Sequence, residues 1–134
     1  MKIRAYTQFD LEEILALYAA VGWVNYTQRP QMLVRAYANS LLTLGAYEDE
    51  RLVGILRAVG DGVSIIFVQD LLVLPEYQRR GIGTALVNAL FEQYPDAYQM
   101  ELLTDNTEKT LAFYQSMGFA AAETIGCRAF VKMK

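Results

Sequence analysis

Six consecutive residues, Gln78-Arg79-Arg80-Gly81-Ile82-Gly83, carry the densest chemical signal in the chain. The first turn of a helix leaves main-chain N–H groups unpaired at the positive end of the macrodipole, so an anion docks there when no side chain stands in the way. Gly81 and Gly83 remove such side chains, while Arg79 and Arg80 add donors suited to phosphate oxygens. The plain alternative is a flexible turn with two solvated arginines. The flanks favour the anion site. Leu71 to Leu74 is a continuous apolar run, as in a strand covered on both faces. From Ile82 onward, Ile82, Ala85, Leu86, Ala89 and Leu90 make the stripe of a core-facing helix. A P-loop is excluded because no Lys-Ser/Thr pair follows the second glycine, and a dinucleotide fingerprint because Leu86 stands where it needs Gly or Ala.

The elements that must hold this turn follow from patterning. Lys2 to Thr7 reads as a modest first strand. Asp10 is placed as an N-cap with Glu13 completing a capping box, ahead of a helix carrying Leu11, Ile14, Leu15 and Tyr18 and ended by Gly22. Trp23-Val24-Asn25-Tyr26 forms a loop before a second helix opened by Pro30, which carries Leu33, Ala36, Tyr37 and Leu41 inward. Leu42 to Tyr47 and Leu52 to Val59 are strands joined by the polar turn Glu48-Asp49-Glu50-Arg51. Gly60-Asp61-Gly62 leads into the strand ending at Leu74, completing an antiparallel meander. Pro95-Asp96 stops the helix after the glycine turn. Tyr98, Met100, Leu102 and Thr104 alternate as a strand parallel to the one before that helix. Asn106 or Thr107 caps a last helix with Leu111, Phe113, Tyr114 and Met117, closed by Gly118. Phe119 to Thr124 and Cys127 to Lys132 are expected to form a terminal hairpin around Gly126.

Composition narrows the class. A chain of 134 residues with 54% hydrophobic content is the size of one domain, 1–134, with one core. Apolar runs fall short of the roughly 20 residues that a membrane span needs, and MKIRAYTQFD lacks a signal peptide's apolar stretch, so a cytoplasmic protein without membrane attachment is expected. One cysteine and no histidine exclude an intramolecular disulfide and argue against a zinc site. Cys127 reads as a small buried hydrophobe near a C-terminal strand. A formal charge of −3 and no basic stripe argue against nucleic-acid binding.

The run DLLVLPEYQRRGIG and the later Phe113-Tyr114-Gln115-Ser116-Met117-Gly118-Phe119 resemble two motifs of the GNAT superfamily of acetyl-CoA-dependent N-acetyltransferases. Gln78, Gly81 and Gly83 match its Gln/Arg-x-x-Gly-x-Gly/Ala signature. The second segment is similar to its "FY…GF" motif. The resemblance implies a mixed α/β (α+β) fold: a mostly antiparallel twisted sheet, a central parallel pair splayed into a V, and helices on both faces. The polar Gln69-Asp70 inside an apolar strand is compatible with the bulge that such a cleft requires.

The resemblance also assigns roles. Main-chain N–H groups of Arg79, Arg80, Gly81, Ile82, Gly83 and Thr84, with Gln78, surround the pyrophosphate of acetyl-CoA. Leu71 and Val73 line the pantetheine arm, and an amide at or next to Leu71, Leu72 included, polarises the thioester carbonyl. Asn106 is a further cofactor contact, one place from the family's usual asparagine position, which Thr107 occupies. Tyr114 is the general acid for the departing thiolate, or a tyrosine packed beside Phe113. Asp70 is the acidic residue closest to the cleft, either the base for the acceptor amine or a structural carboxylate. Gln69 stands where some members carry a glutamate. Trp23, Tyr26 and Tyr37 line the acceptor site or cover the core.

VGW…Y…P…L…A…NS and VGILRAVGDG…DLLVLPEYQ are further similar to small members that include arylalkylamine (serotonin-type) acetyltransferases. The expected partner is thus a small-molecule amine, with a homodimer also allowed. The rival functions are a protein N-acetyltransferase and a non-catalytic acyl-CoA-binding module.

Overall fold

The computed structural model describes residues 1–134. Two compact units make up the chain, Met1–Leu103 and Thr104–Lys134. The first runs β1 (Lys2–Ala5), α1 (Leu11–Ala20), α2 (Val24–Thr27), α3 (Pro30–Ala38), β2 (Leu42–Glu48), β3 (Arg51–Gly60), β4 (Ile65–Val73), a 3₁₀ turn (Pro75–Tyr77), α4 (Ile82–Gln93) and β5 (Gln99–Leu102). The second holds α5 (Glu108–Ser116) and a 3₁₀ turn (Ala122–Ile125).

The sheet has five strands in the order β1-β2-β3-β4-β5. The first four pair antiparallel and the last pair is parallel, so the parallel pair closes one end of the sheet instead of its centre. The β2–β3 connection is a two-residue turn with positive φ at Asp49 (48°) and Glu50 (67°), the twist that suits a tight hairpin. Helices cover both faces. Arg57 of β3 lies 5.4 Å from the ring centre of Tyr37 of α3 and shares Asp70 with Tyr18 of α1, whereas Gly54, of opposite parity on the same strand, lies beneath Ile82 and Leu86 of α4. A Cβ on Gly54 would stand 3.1 Å from the Leu72 carbonyl oxygen and 3.4 Å from each of those two side chains, so its hydrogen lets α4 seat closely. Leu86 and Leu90 are fully buried there, each contributing roughly 1.5–3 kcal/mol.

Local signals held where the chemistry was local. The Asp10 carboxylate accepts from Glu13 N–H at 3.2 Å, but the reciprocal half of the capping box is replaced. The Tyr6 hydroxyl accepts from Asp10 N–H at 3.0 Å and donates to Glu13 at 3.1 Å. The segment expected as a loop, Trp23 to Tyr26, runs into the single turn α2, Val24–Thr27. The expected terminal hairpin is not formed. Ala122–Ile125 closes into a 3₁₀ turn, with Thr124 N–H on Ala121 C=O and Cys127 N–H on Ala122 C=O, both at 2.9 Å. Residues 127–134 join no strand, and Cys127 is exposed rather than buried. No helix is long and apolar enough to cross a membrane.

Candidate active site

At the start of α4 the chain makes a turn of unusual backbone. Arg79 has φ 64° and Gly81, the N-cap, φ 78°. Left-handed geometry is uncommon for any residue but glycine and here occurs twice within three positions. No side chain caps the helix. The first bond closing onto it runs from Ala85 N–H to Gly81 C=O at 3.0 Å, so the N–H groups of Ile82, Gly83 and Thr84 have no helical carbonyl to meet. The Ile82 side chain is buried, while Arg79, Arg80 and Thr84 are exposed. The Arg80 guanidinium lies 5.0 Å from the centre of the Tyr77 ring. Gln78 braces the turn by donating from its amide nitrogen to the Val73 carbonyl at 3.0 Å. The result is a concave, positively polarised run of main-chain donors flanked by two arginines, suited to a diphosphate.

β4 leads into this turn with one side open. Its ladder to β5 runs only from Ile65↔Gln99 to Val68↔Leu102. Beyond that point the orientation of main-chain groups follows from one bond, Leu74 N–H to Val53 C=O at 2.8 Å. Alternation along the antiparallel pair then turns Leu72 and Asp70 toward β3, and Leu71 and Val73 toward the side where β5 has ended. Leu71 and the Val73 N–H therefore face a stretch without a neighbouring strand, while the Val73 carbonyl is taken by Gln78. Leu72 must be corrected: its side chain is buried and its main-chain groups belong to the β3 ladder, so it offers nothing to a cofactor.

The bulge compatible with the Gln69-Asp70 interruption is present. Arg57 pairs with Asp70 but Ala58 with Val68, leaving Gln69 as the extra residue. What fixes it is a buried charge pair. Arg57 Nε donates to Asp70 Oδ2 at 2.7 Å, with the two residues 4% and 1% exposed. The Tyr18 hydroxyl donates to the same oxygen at 2.7 Å. Its single proton is thus committed, so in the 2.8 Å contact between Tyr18 and Tyr37 hydroxyls Tyr37 is the donor. Arg57 Nη1 reaches Ser40 Oγ at 3.3 Å, and Ser40 in turn donates to Ala36 C=O at 2.8 Å. Every buried side-chain polar atom has a partner. Burial lowers the Arg57 guanidinium, but Asp70 more than offsets this and the net shift is upward. Burial first, then the Asp70 carboxylate, pushes the Tyr18 phenol far up.

Asp70 therefore has the structural role of its two readings. Its carboxylate is sealed and already holds a guanidinium and a phenol, so it is not placed to take a proton from an amine. Tyr37 is corrected likewise: it is buried, with Arg57 5.4 Å from its ring centre and Phe9 packed at 5.1 Å. Trp23 and Tyr26 are half-buried and pack against Tyr18 at centroid distances of 5.8 and 5.2 Å. The exposed Gln69 amide donates to the Tyr26 hydroxyl at 3.0 Å, tying α2 to the bulge.

In the second unit, Thr107 rather than Asn106 caps α5, its hydroxyl accepting from Thr110 N–H at 3.2 Å. Asn106 is exposed. Tyr114 is half-buried, edge-on to Phe113 and Phe119 at 5.0 and 5.9 Å. Burial, and then the Asp105 carboxylate, raises its phenol pKa, which keeps the proton on at neutral pH.

Arg57, Tyr18 and the Gln69–Tyr26 bond were not singled out from sequence. One signal existed: Arg57 and Asp70 are lone charges inside neighbouring apolar strands, LVGILRAVG and IIFVQDLLV.

The chain matches the model of the "Acetyltransferase (GNAT) domain" over residues 39–121. A solved GNAT-family acetyltransferase from Streptococcus pneumoniae is 42% identical, with TM-score 0.90 over 99% of this chain and 97% of that one. The aminoglycoside 6'-N-acetyltransferase complexed with coenzyme A is 21% identical, with TM-score 0.63 over 71% of this chain and 56% of that one, a likeness of fold alone. An uncharacterized N-acetyltransferase of Prochlorococcus marinus is 30% identical over 82% of this chain. The matched part spans 62% of that relative's length and 57% of a chloroplastic GCN5-related N-acetyltransferase of Arabidopsis thaliana. By strand order, glycine turn and sequence, this chain belongs to the GNAT acetyltransferase family.

Proposed function

We propose that the protein transfers an acetyl group from acetyl-CoA to the amine of a small molecule, by direct attack within a ternary complex. The observation that carries this reading is the uncapped start of α4, where Gly81 is left-handed and the N–H groups of Ile82, Gly83 and Thr84 stand free. Those donors, with Arg79 and Arg80, hold the diphosphate. Leu71 and the Val73 N–H meet the amides of the pantetheine arm. When bound, the thioester supplies an activated acetyl group, and a main-chain amide at Leu71 favours the carbonyl oxygen as charge builds on it. Tyr114 gives its proton to the departing sulfur. With Asp70 locked to Arg57, the amine's proton leaves through water. Trp23 and Tyr26 offer aromatic faces to the acceptor, which supports an arylalkylamine over a protein terminus. The working form is a homodimer in the same proposal.

Release of free CoA thiol, followed with a chromogenic disulfide, tests this against a panel of arylalkylamines, polyamines and aminoglycosides. Amine-dependent release is the expected result. Tight acetyl-CoA binding with no release from any amine would instead define a non-catalytic acyl-CoA-binding module.

A further inference from the structure

We propose that Gln69 is a specificity-determining residue, which fixes the spacing between the aromatic acceptor wall on α2 and the Leu71 amide and so favours flat aromatic amines over branched polycationic ones. This deepens the reading of the acceptor given above and rests on it. Gln69 is the extra residue of the β4 bulge. Consecutive residues of a regular strand point to opposite faces, yet Gln69 and Asp70 reach the same aromatic cluster, which the bulge permits. Asp70 holds the Tyr18 hydroxyl at 2.7 Å, and the rings of Trp23 and Tyr26 both stand edge-on to Tyr18, at 77° and 75°. At the exposed rim of the cluster, the Gln69 amide donates to the Tyr26 hydroxyl at 3.0 Å. Two neighbouring residues of β4 thus grip one wall, from inside through Tyr18 and from outside directly, and the residue that follows them is Leu71.

α2 needs that grip. It is a single turn with no side-chain cap and no buried residue, and a helix so short does not hold itself. Its own hydrogen bonds are local: Gln28 N–H to Val24 C=O at 3.0 Å, Arg29 N–H to Tyr26 C=O at 2.9 Å, and the Thr27 hydroxyl to Val24 C=O at 3.1 Å. Trp23 N–H on Tyr18 C=O, at 3.0 Å, joins it to α1, and the bond from Gln69 joins it to the sheet. Without that bond the Tyr26 ring keeps its packing on Tyr18 but loses the contact that sets its outer edge. A fixed wall suits a planar ring laid against it, whereas a bulkier amine needs the wall to swing away. Charge points the same way. Gln69 is neutral and the adjacent Asp70 carboxylate is sealed on Arg57, so the bulge holds out no anion to a polycation.

Amide hydrogen exchange of Gln28 and Arg29, followed by NMR without any acceptor, reads the grip itself. It is expected to speed up about fivefold in Gln69→Ala, the worth of one net hydrogen bond, by as much in Tyr26→Phe, and no further in the double variant. Unchanged rates, or effects that add in the double variant, would overturn the proposal. With thiol release as the assay, Gln69→Ala is expected to raise the KM of an arylalkylamine by up to about fivefold and to leave that of acetyl-CoA in place. The ratio of kcat/KM for the arylalkylamine over an aminoglycoside is expected to fall. Equal changes in both KM values, or an unmoved ratio in a chain whose α2 exchanges faster, would leave Gln69 a structural residue and sink the claim of specificity. Thiol release from no amine at all, beside faster exchange, would overturn the transferase reading and the specificity with it, while the grip on α2 stands.

Discussion

Replacing Asp70 by Asn changes one atom in shape and removes the charge that faces Arg57. Both groups facing that oxygen are donors, the Arg57 Nε–H and the Tyr18 hydroxyl, each at 2.7 Å. An amide carbonyl can still accept, but it leaves the guanidinium buried without a counter-charge. Breaking a buried pair by removing one partner costs about 3–5 kcal/mol, a large part of the roughly 5–15 kcal/mol that holds a domain together. At about 2 kcal/mol per molar of urea, the unfolding midpoint is expected to fall by about 2 M. Removing both charges, as Arg57→Met with Asp70→Leu, is expected to recover most of this loss, because no orphan charge then remains. The assay is urea unfolding followed by circular dichroism, read as a double-mutant cycle. A midpoint that stays put while turnover collapses would refute the reasoning and return Asp70 to the role of base.

Tyr114→Phe is expected to lower turnover about 10²-fold, the scale of a lost general acid, with acetyl-CoA affinity nearly unchanged; steady-state kinetics beside calorimetry separates the two. Stability is also expected to fall at alkaline pH. Burial raises the phenols of Tyr6, Tyr18 and Tyr37, so the folded chain keeps protons that the unfolded chain releases above about pH 10. Their contribution is complete below that pH and drops as pH rises, by up to about 1.4 kcal/mol per unit for each phenol. Urea midpoints between pH 8 and 11 follow this, with a shallower decline in Tyr18→Phe.

Much of this molecule was legible because its signals are local. The Asp10 cap, the Pro30 helix start, the three-strand meander and the glycine turn before Ile82 each rest on residues within a few positions of one another. The uncapped start of α4 was legible for the same reason: bare donors at a helix start depend on Gly81 and its neighbours alone. The readings of Asp70 and Tyr37 depended on partners 13 and 19 residues away, Arg57 and Tyr18, and sequence spacing does not say which side of a strand meets which helix. Leu72 turned on hydrogen-bond parity, set by where Leu74 meets Val53. The tail failed differently: its alternation is real, but the stretch expected to pair with it closes into the 3₁₀ turn Ala122–Ile125.

The most direct measurement is calorimetric titration of coenzyme A into the wild-type protein and into Gly83→Val, with circular dichroism to check that both are folded. A valine at the first turn of α4 stands over the free N–H groups, so affinity is expected to drop at least about 100-fold, or ~2.7 kcal/mol, while the fold survives. Equal affinity in the two proteins would show that the diphosphate is held elsewhere, and the proposed site would be wrong.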